Sequence, residues 1–470
     1  MKLQTIIGLE VHAQMNTKSK MFCGCDNDAW GKPPNTTVCP ICMGHPGTLP
    51  VVNRAAIEKA IRMSKALKCT ISNHNHFDRK NYFYPDLPAG FQISQYEHPL
   101  ATNGTVSFGK GASCGIHRLH VENDAGKLTH TEAGSFCDYN RAGTPLMEIV
   151  TEPELHSPED AVSFAQELRR ILIATDSSEA DMYKGMMRFD ASVSLRPMGD
   201  TTLYPRIEIK NLNSFKSLER ALTFQIAVLQ KQWEEGKQPT SEVTVGWIDD
   251  QGKTVLLRDK ESAADYRYFP EPDIPPLALS ETMIRDITSS QTVLPSTLKE
   301  RYLALGLTEA EAIILVDDAK IRELFDAVYD ATKDGKRSSS LVLTQLVGIL
   351  KEAGKTLADG PSKQSMIALA QAIVSGSIST NAGKEVLKAM VELGHEPASI
   401  IAERGLHQVS DEGAIQLLVQ KAIEENPQAI EAFRGGKTSA LGPVVGWVMK
   451  QSKGAANPTM VKTLLEKAIG

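Results

Sequence analysis

Met187-Arg188-Phe189-Asp190-Ala191-Ser192-Val193-Ser194-Leu195-Arg196 alternates apolar with polar or ionisable side chains along its length. At strand period, Met187, Phe189, Ala191, Val193 and Leu195 share one face, and Arg188, Asp190 and Arg196 share the other. Ile7-Gly8-Leu9-Glu10-Val11-His12-Ala13 reads the same way, with Glu10 and His12 on the polar face, and Arg206-Ile207-Glu208-Ile209-Lys210 repeats the pattern. Two readings of the polar face stand at this point. A half-buried sheet has a solvated outer face of mixed polar residues, which accounts for any one of these strands. Taken together, the same residue types form a set that holds a metal ion and handles a phosphate.

Around these strands, the chain up to about residue 290 reads as mixed strand and helix. Further strands are expected near 115–122 and 145–151, and a hairpin at 243–248 and 254–258 around Asp250-Gln251-Gly252. A helix follows Asn53, with Ile57, Ala60, Ile61 and Leu67 on its apolar stripe. A second starts at Ser157-Pro158-Glu159-Asp160, an N-cap followed by proline at the first helical position. A third spans about 215–235 and stops at Gly236. The proline-rich run EPDIPP at 271–276 marks an exit from this domain. Beyond Leu294 strand patterns disappear. The expected architecture is therefore α+β, with a mixed or antiparallel sheet domain over 1–293, an all-α domain over 294–405 and a small helical tail over 406–470.

A chain of 470 residues can bury large cores without disulfides. No apolar run reaches membrane-spanning length and the first residues enter a strand, so a cytoplasmic protein is expected. The net charge of -6 argues against non-specific nucleic-acid binding by the chain as a whole. A local basic surface does occur after Gly436, where Lys437, Lys450, Lys453, Lys462 and Lys467 face a single acid, Glu466. Four of the seven cysteines cluster as Cys23-x-Cys25 and Cys39-x-x-Cys42. In a reducing compartment these read as two knuckles of a structural zinc site at 23–42 that pins an apolar-poor loop. Cys69, Cys114 and Cys137 read as small buried residues.

The segment DRKNYFYPD at 78–86 packs cations, aromatics and acids before a proline turn. It is either a loop that holds a nucleotide phosphate through Lys80 or Arg79, or a solvated turn. Neither a phosphate-binding P-loop nor a dinucleotide-binding GxGxxG is present. Glu122, Asp124 and Glu148 add carboxylates, and oxygen ligands with one imidazole suit Mg²⁺ or Mn²⁺.

The phrases IGLEVH at 7–12, FDRKNYFYPD at 77–86, QISQ at 92–95, DAGK at 124–127, NRAGTPL at 140–146, EIVTEP at 148–153, KNLNSF at 210–215 and DYRYFPEPD at 265–273 resemble the B-subunit family of the tRNA-dependent Asp/Glu amidotransferases. Val445-Gly446, Met449-Lys450 and residues 454–458 resemble its tail. The resemblance covers essentially the whole chain in order. It implies a cradle domain related to glutamine synthetase, a helical domain and a tRNA-contacting tail that includes Lys450 and Lys453. It further implies ATP-dependent phosphorylation of the side-chain carboxylate of Glu on glutamine tRNA or Asp on asparagine tRNA, followed by displacement of phosphate by ammonia.

By position, the resemblance makes Glu10, His12, Glu122, Glu148 and Asp190 the catalytic metal ligands, and Lys80, Arg188 and Lys210 the phosphate or acyl-phosphate contacts. Zinc at Cys23, Cys25, Cys39 and Cys42 matches some members of the family. The chain has no amidase serine motif and no Gly-x-Cys-x-Gly elbow, so ammonia is expected from a separate amidase (the A subunit), with a small C subunit completing a heterotrimer. The alternatives are a tRNA-binding paralogue without chemistry and a structural zinc scaffold.

Some positions depart from the family's pattern. A Lys common before the QISQ phrase is Ala89, and a Glu common after Glu122 is Asn123. These two are expected to face each other near the metal site or the ammonia path and to have changed together, because an unpaired buried charge is costly; independent change is the alternative. Met186, Phe189 and Val245 also differ from the usual residues and bear on substrate positioning.

Overall fold

The computed structural model describes residues 2–109, 111–259, 266–289, 293–407, 412–435, 440–452, 456 and 458–469. The chain divides into two compact units, Met1–Ser296 and Thr297–Gly470. In the first unit the strands, in chain order, are β1 (Leu3–Gln14), β2 (Thr70–Ile71), β3 (His74–Asn75), β4 (Asp78–Asn81), β5 (Phe91–Ser94), β6 (Ala101–Phe108), β7 (Ala112–Asn123) and β8 (Lys127–Thr131). They continue with β9 (Gly134–Asp138), β10 (Pro145–Thr151), β11 (Met187–Pro197), β12 (Ile207–Leu212), β13 (Val243–Ile248), β14 (Lys253–Asp259), β15 (Phe269–Pro270) and β16 (Leu277–Ala278). Three helices serve this sheet: α1 (Arg54–Ala66), α2 (Pro158–Ala174) and α3 (Phe215–Glu234).

Nine strands form one sheet in the order β14-β13-β12-β11-β1-β10-β7-β6-β2. Its pairs are antiparallel except β12 with β13. The period-two pattern sets which way the sheet faces. Leu9, Val11 and Ala13 of β1, and Met187, Phe189, Ala191, Val193 and Leu195 of β11, are buried in one core with Ile57 and Ile61 of α1, Phe164 and Leu168 of α2, and Leu218 and Leu222 of α3. Glu10, His12, Arg188 and Asp190 are thereby carried to the opposite face. Asn53, Ser157 and Ser214 cap the three helices through their side-chain oxygens, and Pro158 occupies the first turn of α2 as its sequence requires.

A three-stranded sheet, β15-β4-β5, stands apart from the large one in hydrogen bonding, although β5 packs against β7. Here the reading of 78–86 as a loop or solvated turn is corrected, because Asp78–Asn81 is a paired strand. Arg79 is engaged in ion pairs. Its Nε and Nη2 donate to both oxygens of the buried Glu271 at 2.7 and 2.9 Å, and Nη2 also reaches Asp273 at 3.2 Å. The run at 271–276 is accordingly tied into the first unit by a bidentate pair and does not leave it.

The second unit is helical among its described residues and contains two apolar clusters without shared members. One gathers Tyr302, Phe325, Val342, Leu369, Val386 and Leu387. The other gathers Val419, Ala422, Val444, Val448, Val461 and Leu465.

Candidate active site

Register builds the site. Antiparallel pairing sets Arg188 of β11, His12 of β1, Glu148 of β10 and His120 of β7 side by side in one row across four strands. Asp190 sits opposite Glu10 one step along the same face. The nearest row therefore juxtaposes an imidazole and a carboxylate twice: His12 Nε2 lies 3.4 Å from Glu148 Oε2, and His120 Nε2 lies 3.3 Å from the same oxygen and 3.5 Å from Glu122 Oε2.

Two groups of ligand atoms result. His12, Glu122 and Glu148 form one, and Glu10, Asp190 and Glu208 the other, with the atoms of each within 4.8 Å of one another. Five of these six residues come from the sequence-derived set. Glu208 is the sixth, and its place beside Glu10 and Asp190 comes only from the structure, because alternation gives the face of a strand and not which neighbour it meets. His120 was missed for the same reason.

All of the six ligand residues but Glu122 line a cavity of about 200 Å³, together with Lys80 of β4, Ser94 of β5, and Tyr266 and Tyr268. Gln95, Arg118, His120, Lys210 and Thr244 complete its lining. Ser94 Oγ donates to Glu122 at 2.9 Å and Thr244 Oγ1 to Glu208 at 3.1 Å, so each outer carboxylate is oriented by a hydroxyl.

The electrostatics fit a divalent cation. Burial, then the charges of Glu148, Glu208 and Asp190, raises the Glu10 carboxyl above its ordinary range, against the smaller opposing pull of His12. Burial opposes the charged form of His120, but Glu148 and Glu122 outweigh it and push the imidazole up to about 9. Burial likewise opposes the ionised form of Glu148, and His120 and His12 outweigh it, holding that carboxyl well below its ordinary range. The His12 Nδ1 atom is buried without a hydrogen-bond partner among the described residues. Mostly oxygen donors with one imidazole match hard divalent ions.

The three expected phosphate cations are placed differently. Lys80 lines the cavity, and its charged form is favoured because Tyr268, Glu122 and Glu148 outweigh burial. Lys210 also lines it, 3.6 Å from Asp190 and 3.3 Å from Glu208. Arg188 instead grips Asp124 with both terminal nitrogens at 3.2 and 3.0 Å, while Gln14 donates to the same carboxylate at 2.9 Å.

A separate cavity of about 320 Å³ lies beside the cysteine cluster, and both Ala89 and Asn123 line it. They share this wall without a charge pair, and Asn123 Oδ1 accepts from the Ile93 N–H at 2.9 Å. Phe189 and Val245 are core residues on the helix-covered side of the sheet, which removes them from substrate positioning.

The sulfurs of Cys23, Cys25, Cys39 and Cys42 converge within 4.8 Å of one another, and all seven cysteines are free. The Cys39 and Cys42 sulfurs are 3.9 Å apart, against an edge of about 3.8 Å for a tetrahedron with zinc–sulfur bonds of about 2.3 Å. The hydrogen bond from Cys23, helped against burial by the Cys39 N–H and Lys20, lowers Cys42 to about 5. Lys20 is fully buried with its Nζ 3.8 Å from Cys42 Sγ, a cation that the spacing of the cysteines did not reveal. Cys69 and Cys114 are buried as expected, whereas Cys137 is half-buried. In the tail, Lys450 is exposed on the helix Leu441–Gln451, and Lys453 lies outside the described residues.

The catalytic-domain model of the GatB/GatE family matches residues 5–285, the region that contains both ligand groups and the cavity. The chain belongs to the GatB/GatE family. A second GatB domain model matches residues 323–469. A relative from Thermomicrobium roseum is 43% identical, covering all of this chain and 99% of its own length. One from Thermoanaerobacter sp. (strain X514) is 42% identical over the whole of both chains, and one from Clostridium acetobutylicum is 41% identical, again over both. The first two are named as the B subunit of aspartyl/glutamyl-tRNA(Asn/Gln) amidotransferase, and the third carries the same name with the number 2 appended. Within a GatB-type catalytic domain, then, the two ligand groups and Lys210 occupy one face of the large sheet, and Lys80 of the three-stranded sheet lines the same cavity.

Proposed function

We propose that this chain is the B subunit of a glutamine-hydrolysing, tRNA-dependent amidotransferase, and that it phosphorylates and then amidates the side-chain carboxylate of Glu on glutamine tRNA, of Asp on asparagine tRNA, or both. The observation that carries the reading is the pair of three-ligand groups on a single cavity within the family's catalytic region. A carboxylate is a poor electrophile. Transfer of the γ-phosphoryl of ATP to one of its oxygens releases ADP and installs phosphate as a leaving group; ammonia then attacks the acyl carbon, the C–O bond breaks and phosphate departs.

His12, Glu122 and Glu148, with Glu10, Asp190 and Glu208, would hold Mg²⁺ or Mn²⁺, which supplies neutralisation of phosphate charge during transfer. Lys80 and Lys210 meet the phosphate oxygens from the cavity wall. Arg188 positions Asp124 beside the same row. A reading as a tRNA-binding paralogue without chemistry requires a broken ligand set, and neither group lacks a member.

The remaining assignments belong to the same proposal. Residues 1–293 form a cradle of the glutamine-synthetase kind, 294–405 a helical domain, and 406–470 a tail that touches tRNA through Lys450 and Lys453. The cysteine quartet holds structural zinc. Ammonia reaches the cavity from the amidase partner, a small third chain joins the heterotrimer, and the complex works in the cytoplasm. No helix among the described residues is long and apolar enough to cross a membrane.

The deciding experiment copurifies the chain with its amidase and small partner chains and follows ATP hydrolysis with each misacylated tRNA. Turnover should rise with Glu-tRNA(Gln) or Asp-tRNA(Asn), and Glu148→Ala should lower it by ~100-fold or more in a folded complex. Wild-type turnover indifferent to both tRNAs would exclude the reading.

A further inference from the structure

We infer that Arg118, on the same sheet face as the two ligand groups, forms with Lys80 an anion-gripping pair beside them, and that its ligand is the phosphoryl group in transfer. This rests on the ATP-dependent reading above and assigns a residue that no sequence pattern marked. Among the cations that line the cavity, Lys210 is already matched by Asp190 and Glu208. Arg118 and Lys80 have no carboxylate at ion-pairing distance among the described residues; their partners are rings. The Arg118 guanidinium lies 6.0 Å from the centroid of Tyr96, and Lys80 Nζ lies 4.8 Å from that of Tyr266. Tyr96 stacks on Tyr268 with centroids 4.3 Å apart and planes 12° from parallel, which fixes this side of the cavity as a rigid aromatic lip.

Arg118 Nε is buried and has no hydrogen-bond partner among the described residues. Leaving such a donor unmade is costly, and a ligand oxygen removes that cost on binding. In the register of the large sheet Arg118 lies in the same row as Glu10 and Asp190, and two residues along β7 from His120. A ligand that satisfies this surface must offer oxygens to the cations and, at the same time, oxygens to any divalent ions that the neighbouring carboxylates would hold. A tetrahedral phosphoryl group does so from one centre, and a guanidinium matches two of its oxygens in a bidentate fork. The Tyr268 hydroxyl adds a donor, since burial pushes its pKa up to about 12, with Lys80 and Arg118 pulling the other way.

The test uses the copurified complex. Arg118→Gln should weaken binding of a non-hydrolysable ATP analogue with Mg²⁺ and lower kcat for ATP-dependent amidation, the latter by ~100-fold, with an unchanged thermal midpoint. Arg118→Lys should recover analogue affinity in part and kcat much less, because the charge returns without the fork, and added guanidinium should restore turnover to Arg118→Ala. Wild-type affinity and kcat in Arg118→Gln would overturn the inference. So would a defect confined to KM for the aminoacyl-tRNA, which would give Arg118 to a tRNA phosphate. If the wild-type complex itself turns over no ATP with either tRNA, the underlying reading fails, and that outcome is distinct from failure of the Arg118 assignment.

Discussion

Asp124, on the wall of the cavity beside the cysteine cluster, shows what a single buried carboxylate does. It is 2% exposed, and burial alone would raise its pKa, but Arg188 and Arg141 outweigh burial and hold it well below the usual carboxylate range. A depressed folded pKa stabilises the fold above the unfolded value of about 3.9 and loses that contribution as pH falls below it. Asp124→Asn leaves Arg188 without its bidentate acceptor and should cost about 3 kcal/mol at pH 7. By linkage the deficit relative to wild type should shrink by about 1 kcal/mol at pH 3, where the unfolded Asp is mostly protonated. Urea unfolding at the two pH values reads both numbers, and an equal deficit at each would show that the pair contributes packing and not charge.

Among the elements, the cysteine knuckle depends most on something other than its own packing. Between β1 and α1 the chain has no regular helix or strand, and side chains fasten it: Asn53 Nδ2 donates to the Ser19 and Lys20 carbonyls at 2.8 and 3.1 Å, and Asn27 Nδ2 to that of Met15 at 2.9 Å. From the other flank, Asn140 Oδ1 accepts from the Thr37 N–H at 2.8 Å. A tetrathiolate ion at the centre would tie these fastenings together and give the buried Lys20 its counter-charge. One zinc per chain is therefore expected by elemental analysis. Its removal by a chelator should lower the thermal midpoint by about 5 °C or more, with faster amide exchange at Thr37, while β1 keeps its protection because both of its neighbours are strands of the large sheet. Full metal removal without a change in the midpoint would mean that the hydrogen bonds alone hold the knuckle.

Across the molecule, three apolar clusters divide the labour, one under the large sheet and two in the helical unit. Because the cluster containing Val419, Val444 and Leu465 shares no member with the others, and Leu406 packs on the neighbouring cluster, deletion of 412–470 should leave the rest folded. With the tail as a tRNA grip, KM for the aminoacyl-tRNA should rise by on the order of tenfold or more as phosphate contacts are lost, while ATP affinity stays put; an equal loss in both would show that the tail supports the catalytic unit structurally. The alternation of β1 and β11, the helix after Asn53, the cap at Ser157, the cysteine spacing and the family were all legible in the amino-acid sequence, because each is written in neighbouring residues and in motif order. Folding was needed to show that His12, Glu148 and His120 share a row, that Glu208 joins Glu10 and Asp190, that Arg79 is paired with Glu271, and that Arg118 faces the cavity without a carboxylate. Strand register, and the packing of β4 and β5 over the large sheet, bring together residues from distant parts of the chain, and period two specifies a face without specifying the neighbour across it.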